Sequence, residues 1–387
     1  IERGCPVMPG KAARRRVVPL VALAVGLAST AAVSLYAHRA HIEREQARFG
    51  RSTFQTRSEI AQRLDATVAM LHSTAGLFAA SEYVTREEFG RFVDQLDLPG
   101  RYPGVAAIGY SQRSVDGDDG VIIERIRREF GDEANVPSVA EERERHRIIY
   151  LESIDGGGEG LVGTDLFSMD ACRAVIEKAR DLAAPVISAM APLQATPGPD
   201  GERGLYIFVP FYAGEAAPGT VEERRRALVG FTYVAVRPES LFGGLSDGSR
   251  RMSEFAIHEA SGQDREHLVH ATDAHEAFAA DRSRFALRTP IAAPHRDWTL
   301  WFVSNDVFEA TRSPNLAGLI AVAQTSISFL LSRLVRVQAL AAERSEEDAA
   351  RFRASERGLR ESEARKGAIL ESAIDAIVTM DHQGRIV

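Results

Sequence analysis

VVPLVALAVGLASTAAVSLYA, residues 17–37, contains no charged side chain. As a helix rising about 1.5 Å per residue it reaches about 30 Å, the thickness of a bilayer's hydrocarbon core. Arg14, Arg15 and Arg16 stand directly before it, and the cytoplasmic bias of Arg and Lys assigns that end to the inside, with Arg39 on the far side as a small counterweight. The alternative is a cleaved signal peptide, whose cleavage site would fall at the loose Ala32-Val33-Ser34. Ala22, Gly26 and Thr30 recur every four residues, making a small-residue face that lets another helix approach closely.

Outward from this stretch, the next long apolar run is LAGLIAVAQTSISFLLS, residues 316–332, again uncharged and followed by Arg333 and Arg336. Gln324, Thr325, Ser326 and Ser328 suit hydrogen bonding between helices of a bundle, so a second span over 315–332 and a buried core helix both remain open. With two spans, residues 1–16 form a cytoplasmic tail, residues 38–314 lie outside, and both termini lie in the cytoplasm. The expected location is the inner cell membrane, two-pass, with the ectodomain in the periplasm and the lipid bilayer as a partner.

The rest of the 387 residues exceed one typical domain. Apolar content of 45% and charged content of 26% argue against wholesale disorder. The net charge is −7, Lys occurs only at Lys11, Lys178 and Lys366, and Arg is interspersed with acids; no basic stripe marks a nucleic-acid partner. Cys5 and Cys172 fall on opposite sides of the membrane in this topology, which excludes a disulfide framework and a cysteine zinc site.

After the first span, Ala47, Gly50, Phe54, Arg57, Ala61, Leu64, Val68, Leu71, Ala75 and Phe78 keep an alternating three-four spacing. This predicts a stalk helix over 42–80, pairing with a twin in a homodimer or packing on its own domain. Thr85 and Glu88 form a capping box that opens a second helix. From residue 100 to about 240 the texture becomes short apolar runs bounded by Gly or Pro (105–110, 148–151, 186–190, 205–211, 228–236), interrupted by helical patterns at 121–130 and 171–182. A later block over about 250–308 repeats the strand texture at 255–258, 285–287 and 298–303. The expected class is α+β, with a mostly antiparallel sheet and a second, smaller one.

Six successive blocks, RYPGVAAIGYSQR (101–113), YLESIDGGGEGLVGTD (150–165), DACRAVIEKARD (170–181), VISAMAPLQ (186–194), GLYIFVPFY (204–212) and VGFTYVAVRPESLF (229–242), resemble the CHASE domain in order and spacing. The resemblance implies a long stalk helix carrying two PAS-like α/β subdomains, with a small extracellular ligand bound in the subdomain farther from the membrane. It implies a pocket built from Tyr150, Asp170, Arg173, Ser188, Leu193, Tyr206 and Phe208. Plant cytokinin receptors, among the relatives, are similar in having an Asp directly before the helix Arg; here Cys172 holds that place and Asp170 lies two positions earlier, so an adenine-type ligand is not the default.

Residues 333–366 are rich in Ala, Glu and Arg, contain no Pro, and have Gly358 as the only glycine, which predicts a long cytoplasmic signalling helix, either a parallel coil or a solvated single helix. Residues 367–387, GAILESAIDAIVTMDHQGRIV, resemble the opening of a PAS domain, a helix and then a strand with a turn at 381–384. The chain is expected to be a piece of a longer protein, with Met8 a candidate initiator. No catalytic site, cofactor or metal site is expected. His267, His270 and His275 with Asp273 lack a completed ligand spacing, and Gly156–Gly160 lacks the residues of a phosphate or dinucleotide loop. The expected function is a membrane receptor input module in a two-component histidine kinase, with a diguanylate cyclase or phosphodiesterase output, or a non-catalytic membrane-anchored binding module, as alternatives.

Overall fold

The computed structural model describes residues 10–115, 119–131, 136, 144–156, 158–194, 202–214, 218–245, 253–259, 267–272, 283–305, 307–308, 316–374 and 382–384. Two compact units emerge, one of Ile1–Arg44 with Ser313–Val387 and one of Glu45–Arg312. Helix α1, Gly10–Ala80, contributes to both.

In the second unit, the covered face of α1 carries Ile60, Leu64, Thr67, Met70, Leu71, Thr74 and Phe78. The two threonines sit there without cost because each hydroxyl bonds back to its own helix, Thr67 Oγ1 to Arg63 O at 2.8 Å and Thr74 Oγ1 to Met70 O at 2.9 Å. The stalk seam packs on the domain along only part of its length. Leu64, Leu71, Ala75 and Phe78 are buried, whereas Ala47, Gly50, Phe54 and Arg57 are exposed, Phe54 at 70%. A straight helix of 3.6 residues per turn drifts about 20° per heptad from a 3.5-residue repeat. Over this length the line of seam residues therefore rotates off the packed face.

Helix α2 (Arg86–Leu96) opens on the capping box expected from sequence: Glu88 N–H donates to Thr85 Oγ1 at 3.2 Å, and Thr85 N–H donates to Glu88 Oε2 at 2.9 Å. After the short α3 (Leu98–Arg101) comes a sheet built from β1 (Val105–Ser114), β2 (Arg145–Ser153), β3 (Val186–Ile187), β4 (Ala191–Pro192), β5 (Arg203–Tyr212) and β6 (Leu228–Val236). Its order is β2-β1-β6-β5-β3, with β4 also on β5, and its pairings are antiparallel. Helices α4 (Asp119–Phe130), α5 (Asp170–Leu182), α6 (Val221–Ala227) and α7 (Pro238–Phe242) intervene. A second antiparallel sheet has the order β8-β7-β10-β9, from β7 (Ser253–Glu259), β8 (Leu268–Ala271), β9 (Ala286–Ala293) and β10 (Arg296–Ser304). The α+β class and the two sheets follow the sequence pattern. β8 was not expected, because four residues containing His270 give little alternation.

Both faces of the six-stranded sheet are covered. On one, Phe78 of α1 stacks on Tyr110 at 3.8 Å between ring centroids and Tyr150 stacks on Phe89 at 5.3 Å. On the other, Cys172, Val175, Ile176 and Ala179 of α5 pack with Ala107, Ile148, Phe208, Phe231 and Tyr233. A buried ion pair ties these layers at one end. Arg147 on β2, fully enclosed, grips Asp119 at the start of α4 with two bonds of 2.5 and 2.6 Å, and its Nη1 donates to Gly163 O at 2.8 Å. Asp119 also receives Arg145 Nη1 at 3.0 Å, and these guanidinium contacts hold its carboxyl below the usual range against the opposing effect of burial.

In the first unit, α1 and helix α8 (Leu316–Ile374) approach closely at Gly26, where an added Cβ would lie 2.6 Å from Ser328 Oγ. Ser332 Oγ donates to Pro19 O at 3.2 Å. The small-residue face read around Gly26 thus meets a serine of the same chain. Both helices are long and apolar enough to cross a membrane. Helix α8 runs unbroken through the segments read as second span, signalling helix and first helix of the PAS opening. The strand of that opening lies outside the described residues.

Replacing Arg147 with Ala leaves Asp119 without its main partner. Because Asp119 is partly solvated, the expected loss is near the lower end for a broken buried pair, about 3 kcal/mol, measured as a fall in the denaturation midpoint of the full chain.

Candidate functional site

Alternation along the strands decides which side chains meet. Tyr206, Phe208, Phe231, Tyr233 and Ala235 fall on the α5 face. Gly109 on β1 pairs in register with Tyr233 on β6. An added Cβ at Gly109 would sit 2.5 Å from Tyr233 Cζ and 2.6 Å from its Oη, so the ring lies over the bare glycine, and only Gly permits that approach.

Beside this ring is a small cavity of about 10 Å³, room for about one water molecule, lined by Ile148, Leu151, Leu161, Leu166, Met169, Gln194, Tyr206, Tyr233 and Ala235. Its walls are almost wholly apolar. Tyr206 Oη donates to Pro192 O and accepts from Gln194 N–H, both at 3.2 Å. Tyr233 Oη, by contrast, is buried and has no hydrogen-bond partner among the described residues. Burial holds its phenol well above the usual pKa of 10 and raises that of Tyr206 to about 12; the Cys172 thiol, also pushed to about 12 by burial, stays neutral. The cavity is therefore lined by a neutral hydroxyl that meets no acceptor among the described residues. Buried hydroxyls are normally satisfied, so this one picks out the cavity as the candidate site.

The outer wall is the segment Gly158–Met169, held to β2 like an added strand. Ile148 N–H donates to Thr164 O at 3.0 Å and Gly163 N–H to Ile148 O at 2.8 Å. Asp165 Oδ1 accepts from His146 N–H at 2.9 Å and Phe167 N–H at 3.0 Å. Helix α5 is pinned through Glu144, which accepts from Arg180 Nη1 at 3.1 Å and Arg113 Nε at 2.6 Å. The buried His146 ring packs against Phe167 and Phe231, with Nε2 3.5 Å from Glu144. Burial opposes ionisation of Glu144, but His146 and the Arg113 guanidinium outweigh it and bring its pKa to about 2.

Of the seven residues expected at the pocket, the structure gathers Ser188, Leu193, Tyr206 and Phe208 on the α5 side. Ser188 Oγ accepts from Tyr206 N–H at 2.8 Å, and Phe208 stacks near Tyr206 and Tyr233. Tyr150 lies on the opposite face of the sheet, where its hydroxyl donates to Val84 O at 2.6 Å. Asp170 and Arg173 are on the exposed face of α5, and Arg173 donates to Phe167 O at 2.7 Å. Sequence reading missed Tyr233 and Gly109. The available signal was a glycine inside a strand-forming run, which marks a close approach. Among the described residues no group of three or more His, Cys, Asp or Glu is placed to hold a metal. His270 is buried beside Glu239 at 3.2 Å, and Asp273 and His275 lie outside the described residues.

The family model of the CHASE domain matches residues 82–270. The solved periplasmic sensory domain of the Campylobacter jejuni chemoreceptor Tlp1 is similar at 7% identity and a TM-score of 0.40, over 69% of this chain and 96% of that one. A search of the curated proteins finds no match.

Two outcomes follow from the site. Tyr233→Phe removes a buried hydroxyl that has no partner among the described residues and should leave the unliganded protein about 1 kcal/mol more stable, read by thermal or chemical denaturation. Glu144 has its pKa depressed from 4.5 to about 2, so its stabilising effect is complete above about pH 4.5 and is lost as pH falls through about 2; Glu144→Gln should flatten that part of the acid-denaturation profile.

Proposed function

From the premise that residues 82–270 form a CHASE domain, we propose that the chain is the input module of a two-pass membrane receptor that binds a small molecule in the cavity between the six-stranded sheet and the Gly158–Met169 wall, on the face that α5 also covers. The observation that carries the ligand site is Tyr233 Oη, buried in an apolar cavity and without an acceptor among the described residues. Tyr206, Phe208, Leu193 and Ser188 frame the same region. The ligand chemistry that fits is compact, uncharged and mostly apolar, with one hydrogen-bond acceptor for Tyr233. It enters by moving the Gly158–Met169 wall, since the closed cavity admits no more than about one water.

The two sheets correspond in this reading to two PAS-like subdomains, and the apolar ends of α1 and α8 to the two spans. The Arg14–Arg16 run before the first span supports a cytoplasmic N-terminus. The continuous α8 supports transmission to a cytoplasmic output, with a histidine kinase as the leading reading. The exposed Ala47, Gly50, Phe54 and Arg57 line supports pairing with a second copy held parallel in the same bilayer.

The topology is tested in intact cells carrying single cysteines in a cysteine-free background. A membrane-impermeant maleimide should label Thr220→Cys and not Glu346→Cys; labelling of both, or of Glu346→Cys alone, contradicts it. The ligand reading is tested by a thermal-shift screen of uncharged small molecules on the full chain in nanodiscs. Hits should stabilise the wild type and lose most of that effect in Tyr233→Phe; hits indifferent to the substitution contradict the assigned cavity.

A further inference from the structure

The turn joining β9 to β10 is clamped onto the edge of the six-stranded sheet, next to the cavity. Ile187 N–H, on edge strand β3, donates to Pro294 O at 3.0 Å, and Ile187 O accepts from Arg296 Nε at 3.1 Å. Lys178 of α5 reaches across with Nζ 2.7 Å from His295 O. His295 adopts a left-handed backbone with φ 51°, uncommon for a residue with a side chain, and Arg296 is further held by an ion pair to Glu259 of β7. Thus both polar groups of one edge residue and one cation of α5 are used to hold the tip of a hairpin from the other sheet. Beside the clamp a crevice of about 590 Å³ leaves this link unsupported by continuous packing.

The position of the clamp is what gives it meaning. Ile187 is followed by Ser188, whose Oγ accepts from the N–H of Tyr206 in the cavity lining, and Lys178 belongs to the helix packed on the same face of the sheet. On the other side, Arg296 begins β10, whose Trp298, Leu300 and Phe302 are core residues of the smaller sheet. Beyond β10, Asn305 Oδ1 accepts from Phe308 N–H at 3.0 Å, and Phe308 packs on Phe49 of α1. One chain of bonded and packed groups therefore runs from the cavity wall to the stalk helix.

We propose that the turn Pro294–Arg296 is a conformational clamp, with Lys178 and Arg296 as its positioning residues, that passes displacement of Tyr206 at the cavity, carried through its bond to Ser188 beside β3, into β10. This rests on the reading of the cavity as the ligand site. A ligand too large for the closed cavity must displace its walls, and the clamp converts that displacement into a shift of the smaller sheet.

The test perturbs the cavity by substitution, so its failure counts against the clamp and leaves the ligand reading standing. In Gly109→Ala the new methyl meets the Tyr233 ring and must move it. Backbone hydrogen exchange in the peptide covering β10 is compared for wild type, Gly109→Ala, Lys178→Ala/Arg296→Ala and the triple variant, using the full chain in nanodiscs. Gly109→Ala should change β10 exchange by about threefold or more when the clamp is intact and by clearly less when it is removed. If Gly109→Ala does not fold, Tyr206→Phe, which releases Pro192 O and Gln194 N–H, takes its place. An equal response with and without the clamp would assign the coupling to α7 or α1 and overturn the proposal, and so would a β10 that does not respond in the clamped chain.

Discussion

The six-stranded sheet has to bury two faces with one set of strands, and most of the molecule follows from how it does so. One face is closed by aromatic stacking, with Phe78 of α1 on Tyr110 and Phe89 on Tyr150, contacts that each contribute about 0.5–1.5 kcal/mol beyond simple burial. That face is tightly filled and fixes the stalk helix on the sheet. The opposite face is closed by α5 and by the Gly158–Met169 wall, and there the packing leaves a small cavity and a hydroxyl with no partner among the described residues. Rigidity on one side thus leaves the other as the side able to open.

Electrostatics reinforce this division. The wall and α5 are attached through localised charged contacts, Arg147 to Asp119 and Gly163 O, and Glu144 to Arg113 and Arg180, rather than through broad apolar contact alone. Such contacts hold a defined closed position, and each depends strongly on its geometry. A buried hydroxyl such as that of Tyr233, without a partner among the described residues, is a group that a ligand acceptor would satisfy.

Much of the architecture was legible in the chain. The uncharged runs at 17–37 and 316–332, the Thr85–Glu88 box and the strands bounded by Gly or Pro each express a short-range rule, and the structure places helices and strands accordingly. The stalk seam packs on the domain only from Ala61 onward, because the 3.5 and 3.6 repeats diverge with length and carry its first half off the packed face. The candidate site was legible only as a region. Tyr150 and Tyr206 look equivalent in sequence, yet the irregular register between Tyr110 and Ser111 in the β1–β2 ladder and the strand pairing send them to opposite faces. Tyr233 acquires its importance from Gly109, more than a hundred residues away, a relation that only the β1–β6 register reveals.

The central claim is that ligand binds on the α5 face of the sheet and not on the stalk face. The most direct measurement is carbon NMR of the full chain with Cζ-labelled tyrosine, titrated with a molecule that raises its thermal stability. The account predicts saturable shifts of the Tyr233 and Tyr206 resonances, with Tyr110 and Tyr150 unmoved. Shifts confined to Tyr110 and Tyr150, or binding with no tyrosine responding, would contradict it.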